Sequence, residues 1–366
     1  MKKLILANLT HRPVRSSISV IAVAMEVTLI LVVVGILLGI LKDTNERQKA
    51  VGADALVRPP GAFHALSLSA APVSVRYADI IRRAPHVKIV VPVVLEPNGN
   101  ATETIWGIEV HAFDSLGSPF RYISGGPFNS PDDILVDDYL AKENHLRVGD
   151  HLEVLNQDFR VCGIIEHGKG GRKFIPMATL QDLIGKPGQA TVFFVKLDDV
   201  QHYPAFKQAL LKVEGMHKFS VMSTNEYLTL MSPENLRPLN ISIKTVVGVA
   251  LCIGFIVIFQ SMYTAVMERT REIGILKSLG ASKIYVMNWI LQETVLLAII
   301  GVVLGIGLSF AVQQSLKHAI PTLIPIFDPH WVFRAAVVAL VGAALGALYP
   351  AFLAAQKDPI DALAYE

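Results

Sequence analysis

The sequence is poor in the groups that cross-link, hydrolyse or bind polyanions. Its 366 residues include two cysteines, Cys162 and Cys252, which cannot support a disulfide framework. Each reads as a small buried hydrophobe. Charge is scarce: 17% of residues are Asp, Glu, Lys or Arg, against about a quarter in soluble domains, while 52% are hydrophobic. That deficit places part of the chain in lipid. A formal net charge of +2 supplies no basic field, which excludes nucleic acid as a partner. The phosphate-cradling pattern GxxxxGK(S/T) is absent; the run from Gly168 to Lys173 has the wrong spacing and no helix pattern after it. HExxH, CxxC and GxSxG are missing too, so no catalytic residue is assigned; a membrane-anchored enzyme is the third-ranked alternative, without positive support, and a non-enzymatic chain is the leading expectation.

What is present in quantity is apolar sequence. A bilayer core about 30 Å thick needs about 20 apolar helical residues, and four stretches qualify. The expected layout is an amphipathic start over 1–17, spans at 18–41, 244–266, 286–312 and 331–353, a large domain over 42–243, an elbow over 267–285, a short loop over 313–330 and a tail over 354–366. Ala22-Val23-Ala24 mimics a signal-peptide cleavage site, but apolar residues continue to Leu41, which reads as an uncleaved anchor. Lys2, Lys3, Arg12 and Arg15 precede the first span. Arg269, Arg271, Lys277 and Lys283 lie between the second and third, and Lys317 is the one Lys or Arg between the third and fourth. The positive-inside rule then puts both termini and the elbow in the cytoplasm and the large domain outside. Trp289 and Trp331 sit where interfacial aromatic belts occur.

The 42–243 segment alternates strand-like and helix-like patterns and reads as α+β. Residues 87–95, 133–136 and 191–197 read as strands, and residues 137–144 and 203–213 as helices. Residues 146–155 and 158–165 read as a hairpin around Asn156-Gln157. Gly168-Lys169-Gly170-Gly171 reads as a mobile loop. Asp132-Asp133 and Asp137-Asp138 suit a strand entry and a helix N-terminus better than catalytic dyads. The histidines here, His64, His86, His111, His145, His151, His167, His202 and His217, show no paired helical spacing; they read as scattered surface groups, and no metal site is assigned.

The elbow, residues 267–287 (MERTREIGILKSLGASKIYVM), carries Glu268, Arg271 and Glu272 at i,i+3 and i,i+4 spacing, beside a stripe of Ile275, Leu276 and Leu279. Gly280 suits a helix C-terminus and Ser282 the next N-cap. The second span is expected to run on as a helix into this segment. The elbow is either a handle for a cytoplasmic partner or an ordinary solvated loop held by its own pairs.

ERTREIGILKSLGAS (268–282) resembles the signature of the FtsX/MacB-type, or type VII, ABC permease superfamily. LYPAFLAAQKDPIDALAYE (348–366) resembles that family's ending, NLTHRPVRSSISVIAVAMEV (8–27) its beginning, and VGDHLEVLNQDFRVCGIIE (148–166) its MacB-like extracytoplasmic core domain. The resemblance implies four transmembrane helices with an α+β domain inserted between the first two. It also implies a homodimer of permeases in the bacterial cytoplasmic membrane, working with a separate cytoplasmic ABC ATPase that binds ATP and Mg. This chain would bind no cofactor of its own. An adaptor of the membrane-fusion type is a further implied partner. By resemblance the ATPase-coupling residues are Glu268, Arg269, Arg271, Glu272, Lys277 and Gly280. The family couples ATP hydrolysis to movement of the external domain through helices extending from the first two spans; residues 42–50 would extend the first, and Glu226 to Leu230 the second, although Pro233 and Pro238 interrupt it. Export of a lipophilic or amphipathic substrate is the leading expectation. Activation of an external hydrolase without transport, and lipoprotein release, are the alternatives.

Glu26 lies about 12 Å into the first span at 1.5 Å per residue, where an ionisable group is a functional candidate. With Met25 it is assigned as a possible substrate or dimer-interface position; the alternative is a neutral or helix-paired structural carboxyl. Glu293, near the start of the third span, is expected to pair with the elbow. Gly301, Gly305 and Gly307, and Gly342 and Gly346, offer faces for close helix packing.

Overall fold

The computed structural model describes residues 13–60, 72–98 and 100–357. Most of the amphipathic start expected over 1–17, and the tail from residue 358 on, lie outside the described residues. The chain divides into two compact units: one contains residues up to Gly39, Pro238–His318 and the chain from Pro325 on, and the other contains Ile40–Arg237 with Ala319–Ile324.

The first unit is helical. Helix α1 spans Pro13–Ala50, contributing its residues up to Gly39 here and the remainder to the second unit. Among the described residues, four helices, α1 among them, are long and apolar enough to cross a bilayer. The others are α8 (Arg237–Glu268), α10 (Lys283–Ala319) and α11 (Pro329–Gln356), with the short α9 (Thr270–Ser278) between α8 and α10. Their common core contains Val23, Val27, Ile30 and Val34 of α1, Ile258 and Met262 of α8, Leu297, Ala298 and Val302 of α10, and Ala335, Ala339, Ala343, Ala347 and Ala351 of α11. Lipid is as apolar as these side chains, so close backbone approach and buried polar contacts must hold the helices together. Gly301 and Gly305 provide the first: methyl groups added there would meet Val23 Cβ at 2.7 Å and the Ala24 carbonyl at 2.7 Å. Gly346 does the same on α11, against the Phe255 carbonyl, whereas Gly307 faces open space. The second comes from Ser19 Oγ and Ser261 Oγ at 2.6 Å, Thr28 Oγ1 donating to the Gly305 carbonyl, and Gln313 Nε2 donating to the Leu31 carbonyl.

The second unit is α+β. Its elements are β1 (Ala55–Arg58), β2 (Val73–Ser74), α2 (Tyr77–Arg82), β3 (Val87–Asn98), β4 (Asn100–Ile108), α3 (Val110–Asp114), β5 (Tyr122–Gly125), β6 (Asp133–Asp137), α4 (Asp138–Glu143), β7 (His151–Val154), β8 (Gln157–Ile165), β9 (Lys173–Pro176), α5 (Met177–Leu183), β10 (Gln189–Ala190), β11 (Val192–Leu197), α6 (Tyr203–Leu211), β12 (Ser220–Ser223) and α7 (Thr224–Leu230). One sheet runs in the order β12-β1-β11-β3-β4-β9-β6-β8-β5, with β7 also on β8. Strand β3 is shared: residues 87–93 pair with β11, and Val94 to Asn98 pair with β4. Among the described residues, one hydrophobic cluster along it gathers Phe193, Val195, Phe206 and Leu210, and another gathers Ile134, Val136, Phe159 and Ile175.

Three details depart from the sequence expectation. The β7–β8 hairpin turns at Leu155 and Asn156, both at positive φ, rather than at Asn156-Gln157, because Val154 pairs with Gln157; two positive φ angles match the twist of the flanking strands. Residues Glu226 to Leu230 belong to α7, a separate helix closed by a Ser223–Glu226 capping box, and do not extend α8. The segment expected to be a mobile loop around Gly170 is buried and tied down, as described next.

Candidate coupling elbow and transmission contacts

The elbow is built by a helix break and two inward-facing cations. Helix α8 does not run straight on as expected: it ends at Glu268, and Arg269 leaves helical geometry at φ −106° and ψ 18°. The Thr270 hydroxyl donates to the carbonyls of Val266 and Met267, competing with the backbone for acceptors at the break. Helix α9 then carries Glu272 in its first turn and Lys277 in its last, both favourable to the helix dipole. Gly280 follows at φ +95°, a conformation that glycine adopts without strain. The Ser282 hydroxyl accepts from the Tyr285 amide to open α10.

The six residues assigned to ATPase coupling divide into two sets. Arg269 is 6% exposed and points inward; its Nη1 lies 3.2 and 3.1 Å from the two Glu293 carboxylate oxygens. The Lys277 ammonium donates to the carbonyls of Ala355 and Lys357 at the end of α11. These two residues therefore set the elbow's geometry, Arg269 buried and Lys277 half-buried. Glu268, Arg271, Glu272 and Gly280 are exposed. Beside them stand exposed apolar groups: Ile275 and Leu279, the latter 80% exposed, and Ile284 and Tyr285 at the start of α10. Sequence reading missed Ile284 and Tyr285. Their signal was an apolar pair in the first turn after an N-cap.

Met25 and Glu26 face different sides of α1. Successive helical residues project about 100° apart, and Met25 is 63% exposed while Glu26 is 5% exposed. The Glu26 carboxylate lies against Gly254 of α8, where an added methyl group would overlap it, and its Oε1 lies 3.9 Å from a methyl built on Gly342 of α11. That oxygen has no hydrogen-bond partner among the described residues.

In the second unit, the end of α1 is held by an alternating chain of charges. Arg47 Nε donates to Asp43 Oδ2 at 2.9 Å, and Arg172 bridges Asp43 and Asp137 at 3.0 Å each. Arg172 also donates to the Thr322 carbonyl, and Glu143 accepts from the Thr322 amide and hydroxyl. Asp137 additionally caps α4 by accepting from the Leu140 amide. Burial raises the Asp137 pKa, against the pull of Arg172. Arg47 and Gly170 exchange backbone and side-chain bonds, and Gly170, at φ +67°, lies so near Phe113, Trp106 and Phe174 that a methyl would touch all three. Lys169 lies over the rings of Phe113 and Phe120 and donates to Asp114 and the Ser118 carbonyl. Burial lowers its pKa, opposed by Asp114. This glycine-rich crossing thus grips the end of α1.

The family description "MacB-like periplasmic core domain" matches residues 16–213 and "FtsX-like permease C-terminal" matches residues 244–359. The macrolide export ATP-binding/permease protein MacB of Shewanella sp. (strain W3-18-1) is 25% identical over a 399-residue alignment, covering all of this chain and 60% of that protein. The MacB protein of Photorhabdus laumondii is 30% identical over 230 residues, 60% of this chain and 35% of that one. The uncharacterised ABC transporter permease YknZ of Bacillus subtilis (strain 168) is 40% identical over 124 residues, 34% of this chain and 31% of that one. The chain thus spans 60% or less of the length of these relatives. Among solved structures, the periplasmic region of MacB from Actinobacillus actinomycetemcomitans aligns with a TM-score of 0.38 at 17% identity, covering 49% of this chain and 93% of that one. With four apolar helices, a MacB-like α+β domain between the first two, and both family descriptions matched in order, the chain belongs to the MacB/FtsX-like, type VII family of ABC permeases.

Proposed function

We propose that this chain is the membrane-spanning part of an ABC export machine, with the elbow as the surface on which a cytoplasmic ABC ATPase acts. One observation carries the reading. A nine-residue helix is fixed from within, by the Arg269–Glu293 pair and by Lys277 on the α11 carbonyls, while Glu268, Arg271, Glu272, Ile275 and Leu279 face outward. A handle must be rigid toward its own body and adhesive toward its partner; mixed apolar and charged groups on a fixed helix meet both needs. The charge asymmetry of the flanking segments supports placing the elbow and both termini in the cytoplasm of a bacterial cell and the α+β domain outside. On this reading ATP is hydrolysed on that ATPase, and the displacement passes along α8 and α1, helices of 32 and 38 residues. The clamp at Asp43, Arg47 and Arg172 receives it. A second copy of the permease and an adaptor protein complete the assembly. The macrolide export named for several relatives supports a lipophilic or amphipathic cargo.

The test is reconstitution of the full-length protein in nanodiscs with the ABC ATPase that co-purifies from its native membrane. Leu279→Asp, and separately Glu268→Lys with Arg271→Glu, are expected to lower stimulated ATP hydrolysis at least tenfold while the permease stays folded. Hydrolysis at the wild-type level in both variants would remove the elbow from the coupling path.

A further inference from the structure

The histidines of the α+β domain are not all scattered. His86, in the turn between α2 and β3, meets His202, just before α6, with ring centroids 3.9 Å apart and planes at 25°. Asp198, immediately after β11, lies between them: its Oδ2 is 3.1 Å from His86 Nδ1 and its Oδ1 is 2.9 Å from His202 Nδ1. The candidate ligand atoms all lie within 4.8 Å of one another. The backbone fixes this convergence. The Asp198 amide donates to the His86 carbonyl at 3.0 Å, the Asp199 amide donates to Asp198 Oδ1, and the His202 amide donates to the Asp199 carbonyl. His86 is held at φ +68°, which turns its side chain out of the line of β3.

We propose that His86, Asp198 and His202 form a binding site for a first-row divalent cation, zinc foremost, on the exposed surface of the α+β domain. Two imidazole nitrogens and one carboxylate oxygen are the donor set that zinc accepts, at about 2.0–2.2 Å per bond. In a tetrahedral site such bonds put the ligand atoms about 3.3 Å apart, close to the two nitrogen-to-oxygen spacings already present. A cation between the two Nδ1 atoms and the carboxylate requires the stacked rings to splay until each ring plane contains it, and the fourth position opens to solvent. Nitrogen donors select against calcium and magnesium, which take oxygen ligands. Sequence spacing hides the site because His86 and Asp198 are 112 positions apart; the pairing of β3 with β11 brings them together. Bound metal would staple the α2–β3 turn to the β11–α6 connection, fastening one end of the domain.

The experiment uses the full chain in detergent, purified through a histidine-free tag and stripped with chelator. It is titrated with Co²⁺ followed by visible absorption and with Zn²⁺ followed by calorimetry. One equivalent per chain is expected, with cobalt ligand-field bands near those of a tetrahedral nitrogen–oxygen site. His86→Ala, His202→Ala and Asp198→Asn should each weaken binding at least tenfold, while His217→Ala, at another exposed position, leaves it unchanged. X-ray absorption of the zinc-loaded wild type should show two imidazole ligands, a readout independent of how the variants fold. No stoichiometric binding in the micromolar range, undiminished affinity in the His86→Ala/His202→Ala double variant, or a wild-type spectrum without imidazole would each overturn the site.

Discussion

Arg269 and Glu293 show what one buried charge pair does for an elbow. Two charges removed from water gain little over a well-packed apolar pair, whereas truncating one member of a buried pair typically costs about 3–5 kcal/mol. Arg269→Met alone is therefore expected to cost on the order of 3 kcal/mol and to lower the apparent melting temperature in detergent, whereas Arg269→Met with Glu293→Leu should recover most of that loss. Equal melting of the single and double variants would show that the pair is not what fixes the break. At this scale the sequence was partly legible. An acid near the start of the third span and a basic segment before it imply a partner for Glu293. Which cation faces inward is set by the helix break after Glu268, and Thr270's competition for carbonyls has no distinct sequence signature. Met25 and Glu26 are adjacent in sequence but lie on different sides of one helix.

Between helices, packing separates glycines that look alike in sequence. Gly305 and Gly307 lie two residues apart on α10, yet a methyl at Gly305 would meet the Ala24 carbonyl and Val27 Cβ, and one at Gly307 meets nothing within 4 Å. Gly305→Leu is expected to destabilise the protein by about 1–3 kcal/mol through overpacking, and Gly307→Leu to leave it close to wild type, both read as detergent melting temperatures. A matched loss in the two variants would contradict the packing of α1 on α10. Strands and short helices were legible because alternation and turn residues are local signals. The glycine-rich crossing at Gly170 was not. Its composition suggests freedom, but the groups that hold it, Arg47, Asp114 and Phe113, come from elsewhere in the chain.

For the molecule as a whole, composition carried the architecture: four apolar runs, one long polar insertion and an asymmetric distribution of Lys and Arg. The sidedness proposed from that asymmetry is open to direct measurement. In a background with Cys162→Ala and Cys252→Ala, Leu279→Cys should react with a membrane-impermeant maleimide only after cells are opened, and Asp158→Cys in intact cells whose outer layers admit the reagent. The reverse pattern would invert the proposed topology. The ten-stranded sheet was not foreseen as one continuous element. It depends on β4 pairing with β9 and on β6 pairing with β9, contacts made across long stretches of chain that alternation alone does not specify.

Strand β3 belongs to both halves of that sheet, and this limits how the protein can be rebuilt. No seam exists along Val87–Asn98 at which the two halves could be separated, exchanged with a relative or joined by a spacer. Adding one residue midway would invert which side chains face inward on the rest of that strand. Variation in length must therefore fall in the connections, and chimaeras of such domains should be cut before residue 87 or after residue 108, never between.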